Sequence, residues 1–188
     1  MANVPWLGLG GIPLLGGGAS PLICDETLNC ACDIVDCDTF KACFGISGST
    51  FPFDIDVVVT GIADGTCSTC ENFDTTYQFT GLTSFAVADC LYIETLSLGT
   101  ECGGSWYGNL YLGHASGGLF AGWNLSFDLS EGVFPAVTNT MSFGYAIGAG
   151  ALAAIQTLCD SGVVAMPHLI SIGGDCDGSG ATMALYLV

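Results

Sequence analysis

Arginine is absent from the 188-residue chain, and Lys41 is its single lysine, against 18 acidic side chains. The formal charge of −17 speaks against a nucleic-acid partner, because neutralising phosphates requires Lys and Arg to displace counterions. It speaks equally against docking on an anionic membrane. The same lack removes the usual means of gripping phosphate, carboxylate or nucleotide ligands. Charge of either sign is scarce at 10% of residues while 51% are apolar, which is not the composition of a disordered chain. Around every serine the G-x-S-x-G nucleophile elbow is missing. His114, in Leu112-Gly-His-Ala, reads as a strand-end or surface residue, and His168 simply follows Pro167. Asp54 and Asp56 are the nearest thing to paired carboxylates, yet acids alternating along the wet face of a strand are ordinary. The expectation is a protein that is not an enzyme and needs no cofactor. Gly132 to Cys159 carries no charge, but it contains Pro135, Asn139, Gln156 and four glycines and no Lys or Arg flanks it. Membrane insertion is therefore not expected.

What the chain has in plenty is cysteine and glycine. The eleven cysteines are Cys24, Cys30, Cys32, Cys37, Cys43, Cys67, Cys70, Cys90, Cys102, Cys159 and Cys176. Such density favours an oxidising compartment, so all eleven are disulfide candidates. An odd count leaves one thiol free or bonded to a neighbouring subunit. Zinc is the competing reading, since Cys67-Ser-Thr-Cys70 has a knuckle gap and Cys30, Cys32 and Cys37 lie close together. No second C-x-x-C follows, and neither histidine sits at a ligand spacing. The opening Met-Ala-Asn-Val-Pro-Trp does not read as a secretory signal. A chain assembled in a cytoplasm and oxidised after lysis, as virion proteins are, reconciles that with the cysteines. A sequence in mature form or an unusual exporter is the alternative. Asp175-Cys-Asp177-Gly-Ser-Gly180 resembles the start of a calcium loop without its closing Glu, making Asp175 and Asp177 the calcium candidates beside a plain β-turn reading. Asn124-Leu-Ser126 is the one N-glycosylation sequon, expected on an outward strand face.

Three regions follow along the chain. Residues 1–23 form an apolar, Gly-rich arm, with Trp6, Leu7, Leu9, Ile12, Leu14 and Leu15 as candidate assembly residues. Residues 24–50 are cysteine-rich and too short for a core of their own, so disulfides are expected to staple them. Residues 51–188 show the period of two that marks half-buried strands. Phe53, Ile55, Val57 and Val59 alternate with Asp54, Asp56 and Thr60, Tyr77 and Phe79 with Thr76, Gln78 and Thr80, then Trp123, Leu125, Phe127 and Leu129 with Asn124, Ser126 and Asp128, and Met141, Phe143, Tyr145 and Ile147 with small residues. Leu91 and Ile93 oppose Tyr92 and Glu94, and Ala181 to Val188 reads as a terminal strand. Only Ala149 to Cys159 looks helical. The expected fold is all-β, an antiparallel β-sandwich of seven to nine strands with at most one short helix.

The stretch Val57-Val-Val-Thr-Gly-Ile-Ala-Asp-Gly-Thr-Cys67-Ser-Thr-Cys70, leading to Thr76-Tyr-Gln-Phe79, resembles a module of cysteine-rich β-structured proteins from the tail and fibre regions of tailed bacteriophages. Cys90, Cys102 and Trp106 match its later strands, and Asp74 stands where that family usually has Gly. The resemblance, over about residues 53–130, implies a virion structural or host-contacting role and brings no catalytic residues. The expected function is thus a disulfide-stabilised, homo-oligomeric structural subunit of a phage tail fibre, tail tip or capsid decoration, located in a virion or outside the cell. Its partners are itself, neighbouring subunits and a host-surface glycan. The alternatives are a subunit of a cellular filament or surface layer, and a soluble carbohydrate-binding module using Trp106, Tyr107, Tyr111 or Trp123 as a stacking platform.

Overall fold

A computed structural model describes residues 33–62, 73–84, 90–101, 104–132, 138–173 and 178–188. The ten strands among them form two wholly antiparallel sheets. Strands β1 (Ile55–Thr60), β2 (Thr76–Phe79), β8 (Val163–Ala165) and β10 (Thr182–Leu187) make a four-stranded sheet in the order β2-β1-β10-β8. The six-stranded sheet runs β3-β4-β5-β6-β7-β9 and comprises β3 (Thr83–Ser84), β4 (Tyr92–Glu101), β5 (Gly104–Ala115), β6 (Gly122–Glu131), β7 (Asn139–Tyr145) and β9 (His168–Ile172). Two helices complete the fold, α1 (Cys37–Cys43) and α2 (Ala149–Ser161). The all-β sandwich-like architecture agrees with the sequence pattern, with ten described strands in place of seven to nine and a second helix in the cysteine-rich segment.

Alternation decides which side of each strand is wet. Ile55, Val57 and Val59 of β1, Phe79 of β2 and Leu185 and Leu187 of β10 are buried, with Leu110, Leu125, Phe127, Leu129, Met141 and Phe143 in the same cluster from the other sheet. Phe127 joins the two layers, its ring 5.4 Å from that of Tyr77 and 5.9 Å from that of Phe79. Each such side chain contributes roughly 2 kcal/mol on leaving water. On β4 the inward side belongs to Tyr92, which is fully buried between Phe40 and Phe51. Ile93, in contrast, looks outward, paired with Tyr111. Gly113 has φ +120°, and a Cβ there would lie 1.9 Å from the Cys90 carbonyl oxygen, so only glycine lets the chain before β4 lie this close to β5.

The helix α1 starts in a capping box: the Asp36 carboxylate accepts from the Thr39 amide, and the Thr39 hydroxyl accepts from the Asp36 amide. Phe40 and Phe44, one turn apart, place their rings 5.0 Å from each other and enter the sandwich core against Trp123 and Phe51. Residues 34–44 are therefore held by packing as well as by sulfur. A disulfide between Cys37 and Cys90 ties α1 to the chain leading into β4. Cys43 is disulfide-bonded too. The longer α2 buries Ala151, Ala154, Ile155, Leu158 and Cys159 against β6, β7 and β8, and stops at Gly162 in the left-handed conformation. At 13 residues it is the helical part of the uncharged run, and no described helix is long and apolar enough to cross a membrane.

Candidate functional site

The outer face of the six-stranded sheet gathers the polar and aromatic side chains that the core leaves out. Register places Thr95, Asn109, Asp128, Ser142 and Ile170 in one row across the strands, and Ser97, Tyr107, Ser130, Thr140 and Ile172 in the next. The Thr95 hydroxyl donates to Asn109 Oδ1 at 2.9 Å, and Asn109 Nδ2 donates to Ser130 Oγ at 2.9 Å. Asp128 accepts from Ser142, but burial outweighs that bond and pushes its carboxyl up to about 6. Tyr111 lies diagonally beside it, its ring stacked on Phe120 at 5.1 Å. Burial, aided by the Asp128 charge, raises the Tyr111 hydroxyl to about 12. The face therefore offers hydrogen-bonding groups and ring surface, with no activated nucleophile among them.

Toward β9 the character changes. This strand is the edge of the sheet, pairing with β7 alone among the described strands. Leu169, Ile170 and Ile172 are 44%, 47% and 59% exposed, and no Asp, Glu, Lys or Arg occurs from 161 to 174. Natural edges are usually blunted by charge, proline or cover, because their free N–H and C=O groups template pairing with another chain. The pattern hid this strand: Leu169 and Ile170 are adjacent, and a register shift between Ser142 and Phe143 breaks the alternation.

At the start of β9 the His168 Nε2 lies 2.9 Å from Ser171 Oγ, which also accepts from the Gly178 amide. Among the described residues no carboxylate bonds the other ring nitrogen, so the pair lacks the orienting third group of a hydrolytic triad. His114, read as a surface residue, is half-buried in β5 with its ring edge-on to Trp123 and Nδ1 4.0 Å from the Cys37 sulfur. An open groove of about 310 Å³ runs between Tyr145 and Met183 and contains no carboxylate or histidine.

Other candidates fall as follows. Trp106 and Trp123 are buried, packed on Phe73 and Phe40 respectively, and cannot serve as a stacking platform. Tyr107 and Tyr111 do lie on the outer face. Asn124 shares that face but is 3% exposed, its Nδ2 donating to the carbonyls of Phe120 and Gly122, which leaves the sequon nitrogen occupied. Asp56 accepts from Gln78 on the outer side of the four-stranded sheet. Asp74 accepts from the Ile62 amide at 2.7 Å, so the carboxylate closes the approach of β1 to β2. Of the disulfide candidates, Cys37, Cys43 and Cys90 are bonded. Cys159 is a free thiol, fully buried, directed at the Cys43 carbonyl and raised to about 11 by burial and by Asp160. It cannot reach a neighbouring subunit. The remaining cysteines, the arm residues Trp6 to Leu15 and the calcium candidates Asp175 and Asp177 lie outside the described residues. No protein-family model, curated protein or solved structure matches the chain.

Proposed function

We propose that this chain is a non-enzymatic, self-associating structural subunit of an extracellular or virion assembly, of the kind that builds phage tail fibres, tail tips or capsid decorations. The exposed, uncharged edge β9 carries the reading. A chain of net charge −17 meets another copy of itself at least cost where neither side bears charge, and Leu169, Ile170 and Ile172 form such a place. The Cys37–Cys90 bond supports an oxidised setting for the finished protein. A cellular filament or surface layer would use the same chemistry. Tyr107 and Tyr111 beside Asn109 and Asp128 favour a second reading, attachment to a glycan through the outer sheet face.

Intact mass after denaturing alkylation without reductant, paired with native mass, tests the first reading. The expected result is an oligomer whose subunits are oxidised and take up alkyl label at Cys159. A monomer with all eleven cysteines labelled would sink it. Retention on immobilised glycans that is lost in Tyr107→Ala, from an obligate monomer, would shift the conclusion to the second.

A further inference from the structure

We propose that Trp6–Ile12 of one copy adds as a strand to the free edge of β9 in a second copy. This rests on the assembly reading and names the partner of that edge. The receiving side is a five-residue strand bonded, among the described strands, to β7 alone, with Ile170 and Ile172 projecting from the sheet's outer face. Adding a strand satisfies the free backbone groups and covers those side chains in one step.

The donor follows from what each copy carries. Both are strongly acidic, so the joining segments must lack charge. Residues 161–174 hold no Asp, Glu, Lys or Arg, and neither do residues 1–24, the first acid being Asp25. Within that stretch Leu7 and Leu9 share one face of an extended chain, and Trp6 and Ile12 the other. Gly8, Gly10 and Gly11 between them leave the backbone open to approach. Pro13 has no N–H to give, which ends the ladder at Ile12. Reach permits a neighbour as the receiver. The chain enters the described fold at Ile34, whose N–H donates to Gln156 Oε1 on α2. From Ile12 to that point an extended chain covers roughly 70 Å, enough to leave its own sandwich.

Hydrogen exchange on the full chain, alongside sedimentation over a concentration series, provides the test. The expected result is slow exchange in residues 6–12 and 168–172 together, in the oligomer only. Two variants should each abolish the oligomer and restore fast exchange in both segments: Leu7→Asp with Leu9→Asp, and Ile170→Asp with Ile172→Asp. Their urea midpoints as monomers should match, which checks that neither has unfolded. Protection of 168–172 with fast exchange in 6–12 would assign the edge to a second copy's own β9 and overturn the proposal. So would protection of both segments in a monomer at every concentration, because the arm would then be covering its own sheet. An oligomer that survives both variants would overturn it while leaving the assembly reading standing. A monomer with neither segment protected would remove both.

Discussion

Tyr92 and Asp128 are polar groups that the fold holds against their preference. The Tyr92 hydroxyl is buried without a hydrogen-bond partner among the described residues, and burial raises its pKa above the usual phenol value. An unmade bond of this kind costs the protein its desolvation with nothing returned. Tyr92→Phe keeps the ring against Phe40 and Phe51 and is expected to raise stability by ~1 kcal/mol, read from the urea midpoint. A fall of that size would mean the hydroxyl has a partner in solution. Asp128 differs in being able to shed its charge. Its ordinary value is 3.8 and the fold raises it to about 6, so the native state prefers the neutral acid. That preference stabilises fully below about pH 4 and is lost as pH rises through 6. Asp128→Asn is neutral throughout. It should match the parent near pH 4 and exceed it above pH 7 by at most ~3 kcal/mol. Urea titrations of both proteins across that range check the divergence, and a constant difference would place the carboxylate in water.

Elements were legible in the sequence to the extent that their packing is regular. Ile55, Val57 and Val59 alternate because β1 has one wet side and one dry side, and β6, β7 and β10 repeat the rule. Pairing of β1 with β10, across more than 120 residues, leaves no local trace, so the division into two sheets was not readable. The outward parity of Asn124 was readable, but the 3-10 turn Gly118–Phe120 covers it, a tertiary effect. The helix α1 has seven residues, too few for a period to emerge; its sulfur pointed to the staple that Cys37–Cys90 provides, while the anchor formed beside it by Phe40 and Phe44 gave no signal. Its local signal was the pair Asp36 and Thr39. Edge β9 was missed because two adjacent aliphatics, one of them at a register shift, mimic neither a strand nor a helix. The anchoring of α1 is testable as a unit. Joint replacement of Cys37 and Cys90 by Ala opens a link of sequence separation 53 and is expected to cost about 4 kcal/mol if loop entropy dominates. If packing of Phe40 and Phe44 alone suffices to hold the helix, the urea midpoint will scarcely move while α1 amides stay protected.

At the scale of the whole molecule, charge opposes both folding and association. Eighteen acidic groups face a single Lys41, so almost no ion pairing offsets the repulsion that compaction increases. Added salt should therefore stabilise this protein, the reverse of its effect where exposed ion pairs support the fold. Between about 10 mM and 1 M monovalent salt the screening length falls from roughly 30 Å to 3 Å. The urea midpoint should climb steeply in the lower part of that range and flatten beyond about 0.2 M, where neighbouring acids no longer sense one another. A rise that instead continues in proportion to concentration, and is larger for sulfate than for chloride, would mark exclusion of salt from apolar surface. Association at β9 obeys the same sign, because its contact is uncharged while the bodies it joins repel. Sedimentation should therefore show the oligomer strengthening with salt, where a docking surface built on opposite charges would weaken.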